Sequence, residues 1–190
     1  MKKLMIFAWC MLISVGTLAD QQAYWNLSAG WAQPGDGDIK SNDTTSGELE
    51  YDEGWIIEGA LGVRYDSLPA AIEIALSYSD FDAEGEDVNQ WTTMLNGLYF
   101  YDLSRDTETY LLGGIGIVST EAEIGAEDIS VEIGDTVFGG QLGAGITQAI
   151  DEECSINLEY KYLFANDFES AGIEVEQGGH SIQIGYTRMY

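Results

Sequence analysis

The sequence predicts an all-β chain that closes into an eight-stranded antiparallel up-and-down transmembrane β-barrel. Three observations lead there. They are an export leader, an alternation of apolar and polar residues with period two through eight segments, and connections that are short at one end and long at the other.

The leader comes first. Lys2 and Lys3 precede an almost unbroken apolar run from Leu4 to Val15, and Gly16-Thr17-Leu18-Ala19 offers small residues to a signal peptidase. Charge, apolar stretch and small residues in that order read as a secretory signal. Cleavage is expected after Ala19, giving a signal peptide at 1–19 and one outer-membrane barrel domain at 20–190. The apolar run falls short of the about 20 residues a membrane-spanning helix needs. Trp9 before Cys10 argues against a lipid-modified cysteine.

The strands follow. The first sets Ala23, Trp25, Leu27, Ala29 and Trp31 against Tyr24, Asn26, Ser28 and Gly30. The second sets Trp55, Ile57, Leu61, Val63 and Tyr65 against Glu58, Ala60, Gly62 and Arg64, and the third Ile72, Ile74, Leu76 and Tyr78 against Glu73, Ala75, Ser77 and Ser79. In the fourth, Trp91, Leu95, Tyr99 and Tyr101 face one way, but Thr92, Met94, Asn96, Leu98 and Phe100 make the other face less polar than the pattern asks. The fifth and sixth run through Leu111–Ile117 and Phe138–Thr147. The seventh sets Cys154, Ile156, Leu158, Tyr160 and Tyr162 against Ser155, Asn157, Glu159 and Lys161, and the eighth Ile182, Ile184, Tyr186 and Tyr190 against Ser181, Gln183, Gly185 and Thr187. Segments of about ten residues match tilted strands with one face in lipid and one in a polar lumen.

Short turns at Asp66–Pro69, Leu103–Asp106 and Ala149–Glu152 alternate with long connections at Pro34–Glu53, Phe81–Asn89, Glu121–Asp135 and Ala165–Gly178. The short ones belong in the periplasm and the long ones outside. With that orientation Trp31, Trp55, Tyr78, Trp91, Phe138 and Tyr162 fall near the external interface, and Trp25, Tyr65, Tyr99, Tyr101 and Tyr190 near the periplasmic one. Two girdles suit a membrane wall. A soluble barrel would turn the apolar set inward and would not need aromatics at both strand ends.

The terminal pattern Ile182-x-Ile184-x-Tyr186-x-Arg188-x-Tyr190 looks like the assembly signal of outer-membrane barrels, read by the barrel assembly machinery, with Arg188 departing from the usual apolar run. Asn96–Asp102, Tyr110–Gly116 and Leu158–Tyr162 resemble strands of the OmpA/OmpX-like, opacity-type family. The resemblance covers the chain after the leader and implies an outer-membrane location. Unlike OmpA itself, the chain is expected to carry no peptidoglycan-binding domain after the barrel.

The candidate functional residues fall into two groups. Glu58, Arg64, Glu73, Glu159 and Lys161 should face the lumen, where eight strands leave space just filled by side chains, so these charges should pair. The other group is external. With Asp80 at the edge of the second, the long connections carry 22 of the 33 acids and one base, Lys40, in a chain of formal net charge −26. That balance argues against nucleic acid and anionic membrane surfaces as partners. Asp80, Asp82 and Glu84 open like a calcium loop, but the twelfth position is Trp91, where a bidentate acid belongs. No cofactor is expected beyond weak calcium or magnesium at the loops. Ile124, Ile129, Val131 and Ile133 alternate with polar residues, which extends strands five and six beyond the membrane.

Lipid A-modifying barrels suggest an enzyme, but the one histidine, His180, adjoins Ser181, and neighbours on a strand point to opposite faces. Cys154 reads as an apolar filler. The expected role is structural or surface-interacting and adhesion-like, through the acidic loops, with an unknown surface ligand. A narrow porin-like ion channel stands second and a lipid A-modifying enzyme third. Membrane lipid and lipopolysaccharide are the expected surroundings.

Overall fold

The computed structural model describes residues 21–190 apart from 36, 42–43, 50–52, 84–85, 127–128, 166–167, 171–172 and 176–177. The predicted leader lies outside the described residues. Twelve strands occur among those described: β1 (Gln21–Pro34), β2 (Gly37–Ser41), β3 (Thr44–Leu49), β4 (Gly54–Tyr65), β5 (Ala70–Ala83), β6 (Glu86–Asp102), β7 (Thr107–Ala126), β8 (Ile129–Ala149), β9 (Cys154–Ala165), β10 (Phe168–Ser170), β11 (Ile173–Val175) and β12 (Gly178–Met189). Eight of them close a barrel in the order β1-β12-β9-β8-β7-β6-β5-β4. First and last strands pair antiparallel from Tyr24↔Met189 to Pro34↔Gly179, which removes the open edges.

Burial follows the alternation. Leu27, Ile57, Leu61, Ile72, Leu95, Leu142, Leu158 and Ile184 are exposed on the wall, while Ser28, Glu58, Glu73, Thr92, Asn96, Asn157, Glu159 and Gln183 are buried inside. A slip of one residue in any strand would exchange the two faces, so a lipid solvent outside fixes the register strongly. An apolar wall of this extent in water would drive association. Trp31, Trp55, Trp91, Phe138 and Tyr162, with Tyr99, Tyr101 and Tyr190 at the other end, are exposed as the two girdles require.

The anomaly in the fourth predicted segment has a structural cause. Leu98 on β6 packs inside the barrel with Tyr24, Ala71, Tyr110 and Leu112, so the lumen contains an apolar cluster as well as polar residues. Met94, two steps away on the same face, is almost wholly buried.

The periplasmic turns lie where expected. In the last, Asp151 accepts hydrogen bonds from the backbone N–H groups of Glu153 at 2.9 Å and Cys154 at 2.8 Å. These two bonds hold its carboxyl below the usual aspartate value. At the other end, β7 and β8 stay paired out to Ala126↔Ile129, as the extended alternation predicts. The first and fourth external connections differ from the expectation of plain loops. Their β2, β3, β10 and β11 form a second four-stranded sheet, with β11 joined to β2 through Ile173↔Ser41 and Glu174↔Lys40. Closure of β1 against β12 makes these two connections neighbours, which allows the pairing.

A closed ladder gives detergent no edge from which to peel strands. The purified protein is therefore expected to migrate differently on a denaturing gel before and after heating. Equal migration of the two samples would contradict the closed barrel.

Candidate functional site

The lumen is crossed by one ammonium group. Lys161 on β9 is 4 % exposed, and its Nζ donates to both carboxylate oxygens of Glu58 on β4, at 2.7 and 2.6 Å. Glu159 Oε1, two residues away on the same inward face, lies 3.0 Å from the same nitrogen. Tyr110 Oη donates to the other oxygen of Glu159 at 2.8 Å, and Asn157 Nδ2 donates to Tyr110 Oη at 3.4 Å. Such pairing is the condition on which buried charges persist.

Glu73 is held differently. It accepts from Tyr24 Oη at 2.7 Å and from Asn96 Nδ2 at 3.0 Å, while Gln141 Nε2 donates to Asn96 Oδ1 at 2.7 Å. Among the described residues, every buried side-chain nitrogen and oxygen has a partner.

One arrangement occurs twice. Tyr24 on β1 lies over Gly62 on β4 and reaches Glu73 on β5, and Tyr110 on β7 lies over Gly145 on β8 and reaches Glu159 on β9. A Cβ at either glycine would enter the tyrosine ring. The two units stand four strands apart around the barrel, so each half of the wall carries one. Lys161 follows Glu159 by two residues; the same place after Glu73 holds Ala75, so only the second unit has a cation.

Of the five charges expected to form a network, Glu58, Glu159 and Lys161 come together and Glu73 rests on neutral donors. Arg64 departs from the expectation. It pairs with Glu108 through two hydrogen bonds of 2.8 and 2.7 Å near the periplasmic mouth and lies 4.3 Å from the centre of the Phe100 ring. The reason is level along the barrel. Arg64 is the penultimate residue of β4 and Glu108 the second of β7, whereas Glu58 sits six residues further in. Sequence reading missed Glu108, although it shares the parity of the inward Tyr110.

The remaining space is small. One cavity of about 40 Å³ lies on the periplasmic side, with Glu58, Glu73, Glu159 and Arg64 in its lining. Another of about 50 Å³ lies on the external side, against Glu58, Lys161, Gln141 and Thr92. Each has room for a few waters. Glu58 lines both, while Lys161, its ion-pair partner, lines the external one.

The other candidates are quickly placed. His180 is exposed, beside the rings of Tyr160 and Tyr162, while Ser181 lies on the opposite face and accepts a hydrogen bond from Gln183. The pair makes no hydrolase couple. Asp80 is paired with Asn89 in the β5–β6 ladder and Trp91 with Tyr78. The side chains of Asp82 and Glu84 lie outside the described residues. Ile182, Ile184, Tyr186 and Tyr190 all face outward. Cys154 is a free thiol that accepts a hydrogen bond from Tyr186 Oη at 2.8 Å.

A closed antiparallel barrel with an apolar, doubly girdled wall and a polar lumen is a transmembrane barrel of the outer membrane. The chain belongs to the outer membrane protein beta-barrel domain family, whose model matches residues 5–187. No curated protein matches it in sequence. Solved structures share the fold at low identity. Neisserial surface protein A is 13 % identical with a TM-score of 0.66, covering 88 % of this chain and 97 % of its own. OprG of Pseudomonas aeruginosa is 13 % identical with a TM-score of 0.54, covering 90 % and 97 %. The Escherichia coli outer membrane protease OmpT is 8 % identical with a TM-score of 0.51, covering 93 % and 100 %. The expected likeness to OmpA/OmpX-like barrels therefore holds, and so does the outer-membrane location.

Proposed function

We propose that the protein is a sealed, non-enzymatic outer-membrane barrel that displays an acidic external surface for contact with positively charged partners. The observation that carries this reading is the Glu58–Lys161 pair across the lumen, with only about 40 and 50 Å³ left on its two sides. A solute path would need that pair broken and the surrounding hydrogen bonds remade. The external connections are long, and with Asp80 beside them they hold 22 of the 33 acids. A field of one sign raises the local concentration of oppositely charged partners and weakens with salt.

Two measurements test it. The purified barrel in planar bilayers is expected to give a flat current trace. Regular conductance steps would overturn the sealed reading and favour the channel. Vesicles carrying the protein are expected to adhere to a polylysine surface more than vesicles carrying a chain with Asp and Glu of the first connection changed to Asn and Gln. The difference should shrink as sodium chloride rises past about 0.15 M, where the screening length is about 8 Å. Equal adhesion would remove the acidic surface from the account.

A further inference from the structure

On the outer wall, at the level of the periplasmic girdle, a groove of about 520 Å³ opens toward lipid. Its floor follows the register: Ala23 pairs with Val63 and Val63 with Ile72, while Trp25 pairs with Leu61, Leu61 with Ile74 and Ile74 with Leu95. The depression exists because Ala23, a small side chain, stands among the rings of Trp25, Tyr65 and Tyr190, which also line the groove. Its volume lies in the range of about 300–1,000 Å³ usual for small-molecule sites. The rim is polar. Trp25 Nε1 donates to Tyr190 Oη at 2.9 Å, and Gln21 lines the same edge.

Directly across the β1–β12 ladder from Trp25 stands Arg188. Its guanidinium carbon lies 5.5 Å from the centre of the Tyr190 ring. Arg64 and Lys161 point into the lumen, so among the described barrel strands Arg188 is the one arginine or lysine on the lipid-facing side. Among the described residues its one ion pair is with Glu153 at 3.3 Å, and the two side chains are 45 % and 65 % exposed. An exposed pair of this kind is weak, so a better-matched anion can replace it.

We infer that this groove and Arg188 form a binding site for one anionic glycerophospholipid of the periplasm-facing leaflet. The acyl chain lies over Ala23, Leu61, Val63, Ile72 and Ile74, and the phosphate meets the Arg188 guanidinium beside Tyr190. Depth selects the occupant. The rings of the girdle sit where headgroups sit, so an amphiphile lying in the groove brings its phosphate to the level of Arg188. The planar guanidinium matches phosphate oxygens through two parallel hydrogen bonds. Charge also favours this leaflet, because the external end sets 22 acids against one base, Lys40, whereas all three arginines of the chain, Arg64, Arg105 and Arg188, lie toward the periplasm beside seven acids among the described residues. The site accounts for an arginine at the periplasmic end of a terminal strand whose neighbouring outward residues, Ile182, Ile184, Tyr186 and Tyr190, are apolar or aromatic. It does not depend on what the external surface contacts.

Native mass spectrometry of the folded barrel in detergent tests the site, with dioleoylphosphatidylglycerol and dioleoylphosphatidylcholine as probes. The wild-type chain is expected to retain one phosphatidylglycerol at a concentration at least tenfold below that needed for phosphatidylcholine. Arg188→Gln removes the phosphate partner, and Ala23→Leu fills the groove without touching the charge. Each should weaken phosphatidylglycerol retention tenfold or more, whereas Arg105→Gln, the same charge change in a turn, should leave it unaltered. Unheated gel migration confirms that each variant is folded. Wild-type retention without headgroup preference, wild-type retention in either Arg188→Gln or Ala23→Leu, or an equal loss in Arg105→Gln would overturn the assignment.

Discussion

Lys161→Met is expected to lower the unfolding free energy of the barrel by about 3–5 kcal/mol, the usual cost of removing one partner from a buried ion pair. The residue answers two carboxylates at once, Glu58 at 2.6 Å and Glu159 at 3.0 Å, and all three side chains are buried. Methionine fills a similar volume, so the loss reports charge rather than a cavity. Among the described residues Glu58 would then keep no ion-pair partner, and Glu159 would keep only the hydroxyl of Tyr110. Combining Lys161→Met with Glu58→Gln and Glu159→Gln should recover most of the stability, because a neutral set of similar shape no longer confines unpaired charge. Arg64→Gln should cost about 1 kcal/mol, since that pair is part-exposed and water can replace the guanidinium. Urea titration in lipid vesicles, followed by tryptophan fluorescence, measures all three. A wild-type midpoint for Lys161→Met would mean that water already solvates Glu58 and Glu159.

The wall was legible in the sequence because lipid on one face and protein on the other leave no ambiguity of side. Period two therefore placed Trp31, Leu61, Ile74 and Ile184 outside and Ser28, Glu73, Asn157 and Glu159 inside without any structural knowledge. Partners inside the lumen were not legible. Which inward residues meet depends on the stagger between strands, a property of the closed barrel rather than of any strand. Glu58 meets Lys161 across the lumen, and no local pattern relates positions 103 residues apart. Arg64 and Glu58 share a strand and a face, but they stand at different depths and so find different partners. The weak polarity of the face holding Met94 and Leu98 was a true signal, the imprint of the apolar cluster near the periplasmic end. The small external sheet left little trace, because strands of three to six residues are too short for alternation to stand out.

Gly62→Ala is expected to destabilise the barrel by about 2–4 kcal/mol, combining overpacking with a hydrogen bond lost from a buried carboxylate. The added methyl group meets the Tyr24 ring, and the backbone cannot retreat because Gly62 is paired with Tyr24 on one side and Glu73 on the other. The ring must swing away, which takes its hydroxyl from Glu73. Gly145→Ala displaces Tyr110 in the same way, but Glu159 still has Lys161 at 3.0 Å. Glu73 has no such reserve, since after Tyr24 leaves only Asn96 still donates to it. The first substitution should therefore cost more than the second, although the two glycines look alike. A double-mutant cycle separates the ring clash from any general effect of alanine. In a Tyr24→Ala background the space beside Gly62 is empty, so adding Gly62→Ala there should cost little, and the coupling between the two positions should approach the full cost of Gly62→Ala alone. If the two substitutions simply add, Tyr24 does not rest on Gly62 and its bond to Glu73 needs another support.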